Sequence, residues 1–305
     1  MKKYLYSEIR SFIDSIDTED DCSFVSTEPT VESHALFLES LSNYFNDINE
    51  QKKSVLGIDI FKYSKYDYEK QKMIPIIFRY LIIATIDHCF QLESNFSLHY
   101  DKTLIIQEMI DTGDGGFLVF ENSVDAIIFL TYFAANLHSF NSYHTYPNMR
   151  KYIGPLTIRY AITYDKIYQI DSNFYGPAII NNARIMSRDK LNRLLIDGNT
   201  YDWFLLNTNG IENLLVLNSE NLFLQKPLVG LTLDKIKTLV FSKVKGFPVI
   251  KNVFCQKLEK INVKDDTFDV YNLIIQICLT MSDDKHSGKK TIFVTTIGNM
   301  NCNGI

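Results

Sequence analysis

The stretch EMIDTGDGGFLVF, residues 108–120, sets two carboxylates, Asp111 and Asp114, among glycines and then runs straight into apolar residues. Glycine reaches backbone angles closed to other residues, so DTGD is the tip of a β-hairpin, with KTLIIQEMI (102–110) and GGFLVFEN (115–122) as its two strands. An acid at such a tip stands over the end of whatever strand lies beside it.

That strand is found upstream. SVLGIDIF (54–61) is short, apolar and β-branched, reads as a buried strand, and ends with Asp59. YEKQKMIPIIFRYLIIATIDHCF (68–90) has the length and spacing of a helix. After the hairpin, SVDAIIFLTYFAANLHSF (123–140) is a second helix, opened by a Ser-Val-Asp cap signal. GPLTIRYAITYDKIYQI (154–170) is a strand or hairpin, and YGPAIINNARIMSRDKL (175–191) is a helix with Pro177 in its first turn. The order βα-ββα-ββ-α predicts an α+β fold, a sheet covered by helices on one side.

The flanks differ. Residues 1–50 join the acidic DSIDTEDDCSF (14–24) to the periodic HALFLESLSNYF (34–45) and read as a loose leader ending in a helix. Beyond about residue 190 come short strand and helix candidates, then a basic turn, SKVKGFPV (242–249), before the strand-like IKNVFCQKL (250–258). From 259 to 305 polar and apolar residues alternate, which predicts a small C-terminal β appendage.

The totals narrow the function classes. A chain of 305 residues with 46% hydrophobic residues buries a sizeable core. A net charge of -5 argues against a nucleic-acid-binding surface, which carries a clustered basic footprint. The five cysteines are scattered and odd in number, as expected of reduced thiols in a cytoplasmic protein. The six histidines form no HxxxH pair, which disfavours a histidine-ligated metal. The N-terminus has no apolar signal core, and the most apolar run (73–90) is broken by Arg79 and Asp87, so neither a signal peptide nor a membrane span is expected.

Adjacent antiparallel strands would bring Asp59 and Asp114 to one edge of the sheet. Two acids so placed suit two divalent ions, because Mg2+ or Mn2+ takes oxygen ligands and completes its shell with substrate phosphates. The segment IFKYS, with Ile60, Phe61, Tyr63 and Ser64, would offer backbone N–H groups to a triphosphate.

Five motifs together resemble a family. SVLGIDIFKYSKYD, DTGDGGFLVF, IRYAITYDKIYQI, FYGPAIINNARI and VKGFPV occur in the order and at roughly the separations of the class III nucleotide cyclase catalytic domain, over about residues 52–258. The resemblance implies a ferredoxin-like sheet in a catalytic domain at 51–258, with metal held at Asp59, Ile60 and Asp114. It implies that Arg184 steadies the α-phosphate, a role that suits a planar, charge-assisted donor. The family's asparagine falls on Ile180; Asn181 and Asn182 follow, and either a neighbouring Asn, Asn181 first, takes its place or the orienting function is absent. A phosphate-contacting lysine matches Lys245, with Lys243 as rival.

The adenine-reading positions of the family fall on Ile110 and Asn173, which cannot reproduce its Lys and Asp contacts, and the guanine-reading Glu and Cys are missing too. A free-standing cyclase with an altered base site resembles the pyrimidine cyclases of bacterial Pycsar antiphage systems, which make cyclic CMP or cyclic UMP for a downstream effector. Tyr63 is placed to narrow the pocket for a smaller base. The resemblance also implies a homodimer with composite sites, metal acids from one protomer and arginine from the other. Four rivals stand beside this reading: a non-catalytic cyclase-fold module that binds a nucleotide or a partner, favoured by Ile180; an adenylate or guanylate cyclase with an atypical base site; a dinucleotide cyclase of the same palm type, disfavoured by the lack of a GGDEF-like run; and a purely structural α+β protein.

Overall fold

The structure, a computed structural model, describes residues 3–16, 31–46, 51–211, 250–263, 266–282 and 290–304. Within the expected catalytic domain, strand β2 (Gln51–Ile60) is followed by helices α3 (Tyr68–Leu92), α4 (Ser94–His99) and α5 (Lys102–Gln107). Strands β3 (Ile110–Asp111) and β4 (Gly115–Phe120) form the hairpin, and α6 (Ser123–Asn141) and α7 (Pro147–Ile153) lead to β5 (Ile158–Ile170). Then come β6 (Asn173–Tyr175), α8 (Pro177–Arg188), β7 (Leu194–Asp197) and α9 (Gly198–Thr208).

The strand order β5-β2-β4-β3, with every neighbouring pair antiparallel, is that of a split β-α-β ferredoxin-like unit. The α+β expectation therefore holds in its connectivity. On one face Leu56, Ile58 and Ile162 meet α3 and α6 through Ile77, Leu81, Ile127 and Phe133, with Phe204 of α9 in the same core. Successive residues of a strand point to opposite faces, so Val55, Ala161 and Leu195 face the other way and pack on Ala178, Ile185 and Met186 of α8. Helices thus cover both faces rather than one, because Val55 and Ala161 make the second face apolar as well.

Local details depart from the sequence reading. KTLIIQ is the helix α5, not a strand, because the Asp101 side chain caps it by accepting from the Thr103 and Leu104 N–H groups. The cap of α6 is Asn122, which accepts from Asp125 N at 2.9 Å, while Ser123 lies inside the helix. The leader holds β1 (Lys3–Tyr4), α1 (Tyr6–Ile16) and α2 (Val31–Asn46), with β1 paired in parallel to the end of β5. α3 is long and apolar enough to cross a membrane by length and composition, but here Ile74, Ile77, Phe78 and Leu81 are buried in the core.

The C-terminal residues are β-structured as expected, in β8 (Ile250–Val263), β9 (Asp266–Ser282) and β10 (Lys290–Ile297). They continue the main sheet, since β9 pairs antiparallel with β7 over Leu194–Asp197, and the expected boundary at residue 258 falls within β8.

Candidate functional site

Asp59 stands at the end of β2, opposite Gly115 on β4 and opposite Arg159 on β5. The hairpin tip reaches it because two glycines allow the approach. Gly113 takes a positive φ of 87°, and its N–H donates to Asp111 Oδ1 at 2.7 Å. A Cβ on Gly115 would lie 2.1 Å from the Ile58 carbonyl oxygen and 2.8 Å from Asp59 Cα, so only glycine lets β4 close on β2 there. Ile60 N then donates to Asp114 O at 2.9 Å, which locks the tip over the strand end.

The two carboxylates feel each other. Asp59 is 6% exposed, and its pKa is pushed up to about 6. Burial is the largest cause; the Arg159 guanidinium pulls the other way and the Asp114 charge adds to the rise. Arg159 Nε donates to Asp59 Oδ2 in an ion pair, and Arg159 Nη1 donates to Asp189 O at 2.8 Å. Sequence reading passed over Arg159; its signal is visible only once the register places it across from Asp59.

The donors fit a hard divalent cation. Like charges are held together against their electrostatic preference, a cost that a cation removes, and carboxylate oxygens are its preferred ligands. Among the described residues there is no cluster of three or more His, Cys, Asp or Glu, so the remaining ligands would come from phosphate and water. Ile60 has its side chain buried in the core and has only its backbone oxygen to contribute.

The IFKYS segment departs from expectation. The N–H groups of Ile60 and Phe61 are not free for a triphosphate, since they donate to Asp114 O and Thr157 O, each at 2.9 Å. The reason is that β2 must be tied on both sides at its end to hold Asp59. Tyr63 packs against the core with its hydroxyl donating to Gln71 O at 2.8 Å, and Ser64 is exposed.

On α8, Arg184 is exposed and its Nη1 donates to Asn181 Oδ1 at 3.1 Å. Asn182 is fully buried and its Nδ2 donates to Val55 O at 2.8 Å, Ala161 O at 3.0 Å and Thr163 Oγ1 at 3.2 Å. Of the two asparagines only Asn181 is placed to orient Arg184, and Ile180 is half exposed. No hydrogen bond or ion pair among the described residues joins Arg184 to Asp59 or Asp114, whose partners are those already named. Lys245 and Lys243 lie outside the described residues.

Ile110 packs against the cluster of Phe117, Ile167 and Phe174, so the segments bearing Ile110 and Asn173 meet on the α8 face. Beside them is a cavity of about 190 Å³ whose lining includes Lys53, Glu108, Val119, Glu121, Gln169 and Phe174. Gln169 Nε2 donates to Glu108 Oε1 at 2.9 Å, and Lys53 pairs with Glu121. Glu108 and Gln169 were missed in sequence because they are 61 residues apart.

Comparison with solved structures finds guanylyl and adenylyl cyclases. The guanylyl cyclase Cya2 matches at 10% identity over 73% of this chain and 91% of its own, with a TM-score of 0.41. The guanylate cyclase domain of RhGC from Catenaria anguillulae in complex with GTP matches at 14% identity over 73% and 96%, with a TM-score of 0.39. The adenylyl cyclase CyaB from P. aeruginosa matches at 13% identity over 73% and 93%, with a TM-score of 0.38. No protein-family model matches the chain, and no curated protein does.

Proposed function

We propose that the protein is a nucleotide cyclase, converting a nucleoside triphosphate into a 3′,5′-cyclic monophosphate and pyrophosphate. The observation that carries this is the pairing of Asp59 and Asp114 at one edge of a ferredoxin-like sheet, the buried member raised toward pH 6 by burial and by its neighbour's charge. Asp59 and Asp114, with the backbone oxygen of Ile60, would hold two Mg2+ or Mn2+, whose chemistry when bound would be to favour loss of the 3′-hydroxyl proton and to offset the charge of the pyrophosphate.

The chain's own residues do the rest. Arg184, oriented by Asn181, would donate to the α-phosphate oxygens as charge builds on them. Because no hydrogen bond or ion pair among the described residues joins Arg184 to the Asp59 site of its own chain, the productive arrangement would be a homodimer in which Arg184 of the partner subunit completes the site. The catalytic unit is residues 51–258, with the phosphate-contacting lysine assigned to Lys245.

The base is assigned as a pyrimidine, UTP or CTP, and the product as a second messenger of antiphage defence in the cytoplasm. Ile110 cannot hydrogen-bond a base edge, and Asn173 offers an amide in place of a carboxylate. The neighbouring Glu108 and Gln169 together present an acceptor and an amide that complement a small base.

The ion pair of Arg159 with Asp59 favours a second reading, a module that binds a nucleotide without turning it over. One experiment separates the two. The purified protein is incubated with ATP, GTP, CTP and UTP singly, with Mn2+ or Mg2+, and products are identified by mass spectrometry. A cyclic pyrimidine monophosphate lost in Asp59→Ala and Asp114→Ala supports the cyclase; binding without any cyclic product, from folded dimer, supports the module.

A further inference from the structure

The ion pair at Asp59 does not end at Arg159. The Asp189 carbonyl that accepts from Arg159 Nη1 opens a loop, residues 189–193, that closes on a fully buried arginine. Arg193 is 0% exposed; its Nε bonds Asp189 Oδ1 at 2.9 Å and its backbone N–H donates to Asp189 Oδ2 at 2.8 Å. Its Nη1 donates to Asn303 O at 2.6 Å and to Asn301 O at 3.3 Å. The segment 298–304 is therefore stitched directly to the loop behind the site.

More stitches run the same way. Asn299 Nδ2 donates to Leu191 O and Asn192 O, each at 2.6 Å, and Asn272 Nδ2 on β9 donates to Asn299 O at 2.9 Å and Asn301 O at 3.3 Å. Gly298 turns the chain into place with φ 81°, where a Cβ would meet Leu273 O at 2.4 Å. A buried guanidinium gripping a carboxylate and two carbonyls is rigid, since releasing any partner leaves a buried polar group unmatched.

We propose that segment 298–304 and Arg193 form a clamp that holds Arg159 on Asp59 and so sets how readily Asp59 takes a divalent cation. It rests on the cation-holding role proposed for Asp59. The physical link is short. Arg159 is fixed at two points, the Asp189 carbonyl and the Asp59 carboxylate, and a guanidinium fixed beside a carboxylate competes with any cation for it. Loosening the loop frees Arg159 to swing away, and the cation then meets less competition.

The test uses the full chain. Asn299→Ala removes two hydrogen bonds to the loop and no charge. Two readouts follow it: hydrogen exchange at Arg159 Nε–H by NMR, which needs no cation, and Mn2+ affinity by electron paramagnetic resonance. Exchange at Arg159 is expected to speed up about tenfold, and Mn2+ to bind roughly three- to tenfold more tightly, with no such gain when Asn299→Ala is placed in an Arg159→Met background. Arg193→Lys, which keeps the charge but loses the fork, should act in the same direction and serves if Asn299→Ala does not fold.

Unchanged Arg159 exchange overturns the clamp, and so does an equal change of Mn2+ affinity in both backgrounds, which a general loosening of the fold would produce. Mn2+ binding indifferent to Asp59→Ala overturns the underlying role of Asp59 and with it the effect on cation affinity, while the exchange rate still decides whether the clamp holds Arg159.

Discussion

Replacing Gly115 by alanine adds one methyl group at the closest approach of the hairpin to Asp59. The new Cβ would sit 2.1 Å from the Ile58 carbonyl oxygen, where ordinary contact begins at 3.4 Å, so β4 must retreat by more than 1 Å. The atoms it meets are backbone, which cannot rotate aside. Overpacking of this kind costs about 1–3 kcal/mol, and loss of the Ile60 N to Asp114 O bond adds about 1 kcal/mol. A loss of roughly 2–4 kcal/mol lowers the melting temperature by about 3–6 °C in a chain of 305 residues, where the unfolding entropy is large.

Asp114 moves with the strand, so Mn2+ affinity should fall by about tenfold or more, while far-UV circular dichroism at 20 °C stays native. Gly113→Ala is the control: nothing lies within 4 Å of its added Cβ, and only the positive φ is strained, at about 1 kcal/mol. Differential scanning fluorimetry and an Mn2+ titration on the three proteins decide the matter. A Gly115→Ala protein with wild-type melting temperature and wild-type Mn2+ affinity would refute the claim that this glycine sets the carboxylate spacing.

The pH dependence follows from the raised pKa of Asp59, about 6 in the fold against 3.8 as its ordinary value. The neutral carboxyl is favoured in the fold, so its stability contribution is full below pH 3.8 and is lost as pH rises through about 6, a change of about 3 kcal/mol. Asp197, raised to about 7 chiefly by burial, acts with the same sign, so Asp59→Asn should remove only part of the decline in a melting-temperature profile without metal. Asn182→Ala deletes three buried hydrogen bonds between α8 and the sheet and should cost about 2–3 kcal/mol in urea unfolding, whereas Asn181→Ala should cost under about 0.5 kcal/mol and lower turnover instead. Mixing inactive Asp59→Ala and Arg184→Ala proteins should restore about a quarter of wild-type cyclase activity, since about half the dimers are mixed and each holds one intact site; no recovery from confirmed mixed dimers would count against composite sites.

Much of this architecture is local information. The hairpin at 108–120 is legible because Gly113 and Gly115 are required where they stand, by backbone angle and by contact distance. β2 and α3 are legible because a short β-branched run and a long run of helical spacing have no other economical fold. KTLIIQ is not, because six apolar-rich residues suit either element and the decision falls to the Asp101 cap.

By itself, then, the amino-acid order determined β2, α3, α6 and the hairpin tip with its two carboxylates, since periodicity and turn chemistry act over a few residues. Only the tertiary structure decided which groups those acids meet. Arg159 becomes the partner of Asp59 through a register between residues 100 apart. Asn182 rather than Asn181 anchors α8 because the helix turns one toward Val55 and Ala161 and leaves the other beside Arg184. The segment 298–304 reaches the site because β9 pairs with β7 and carries β10 and the turn at Gly298 back to the 189–193 loop. Such pairings depend on which strand lies beside which, and that is settled by packing of the whole sheet.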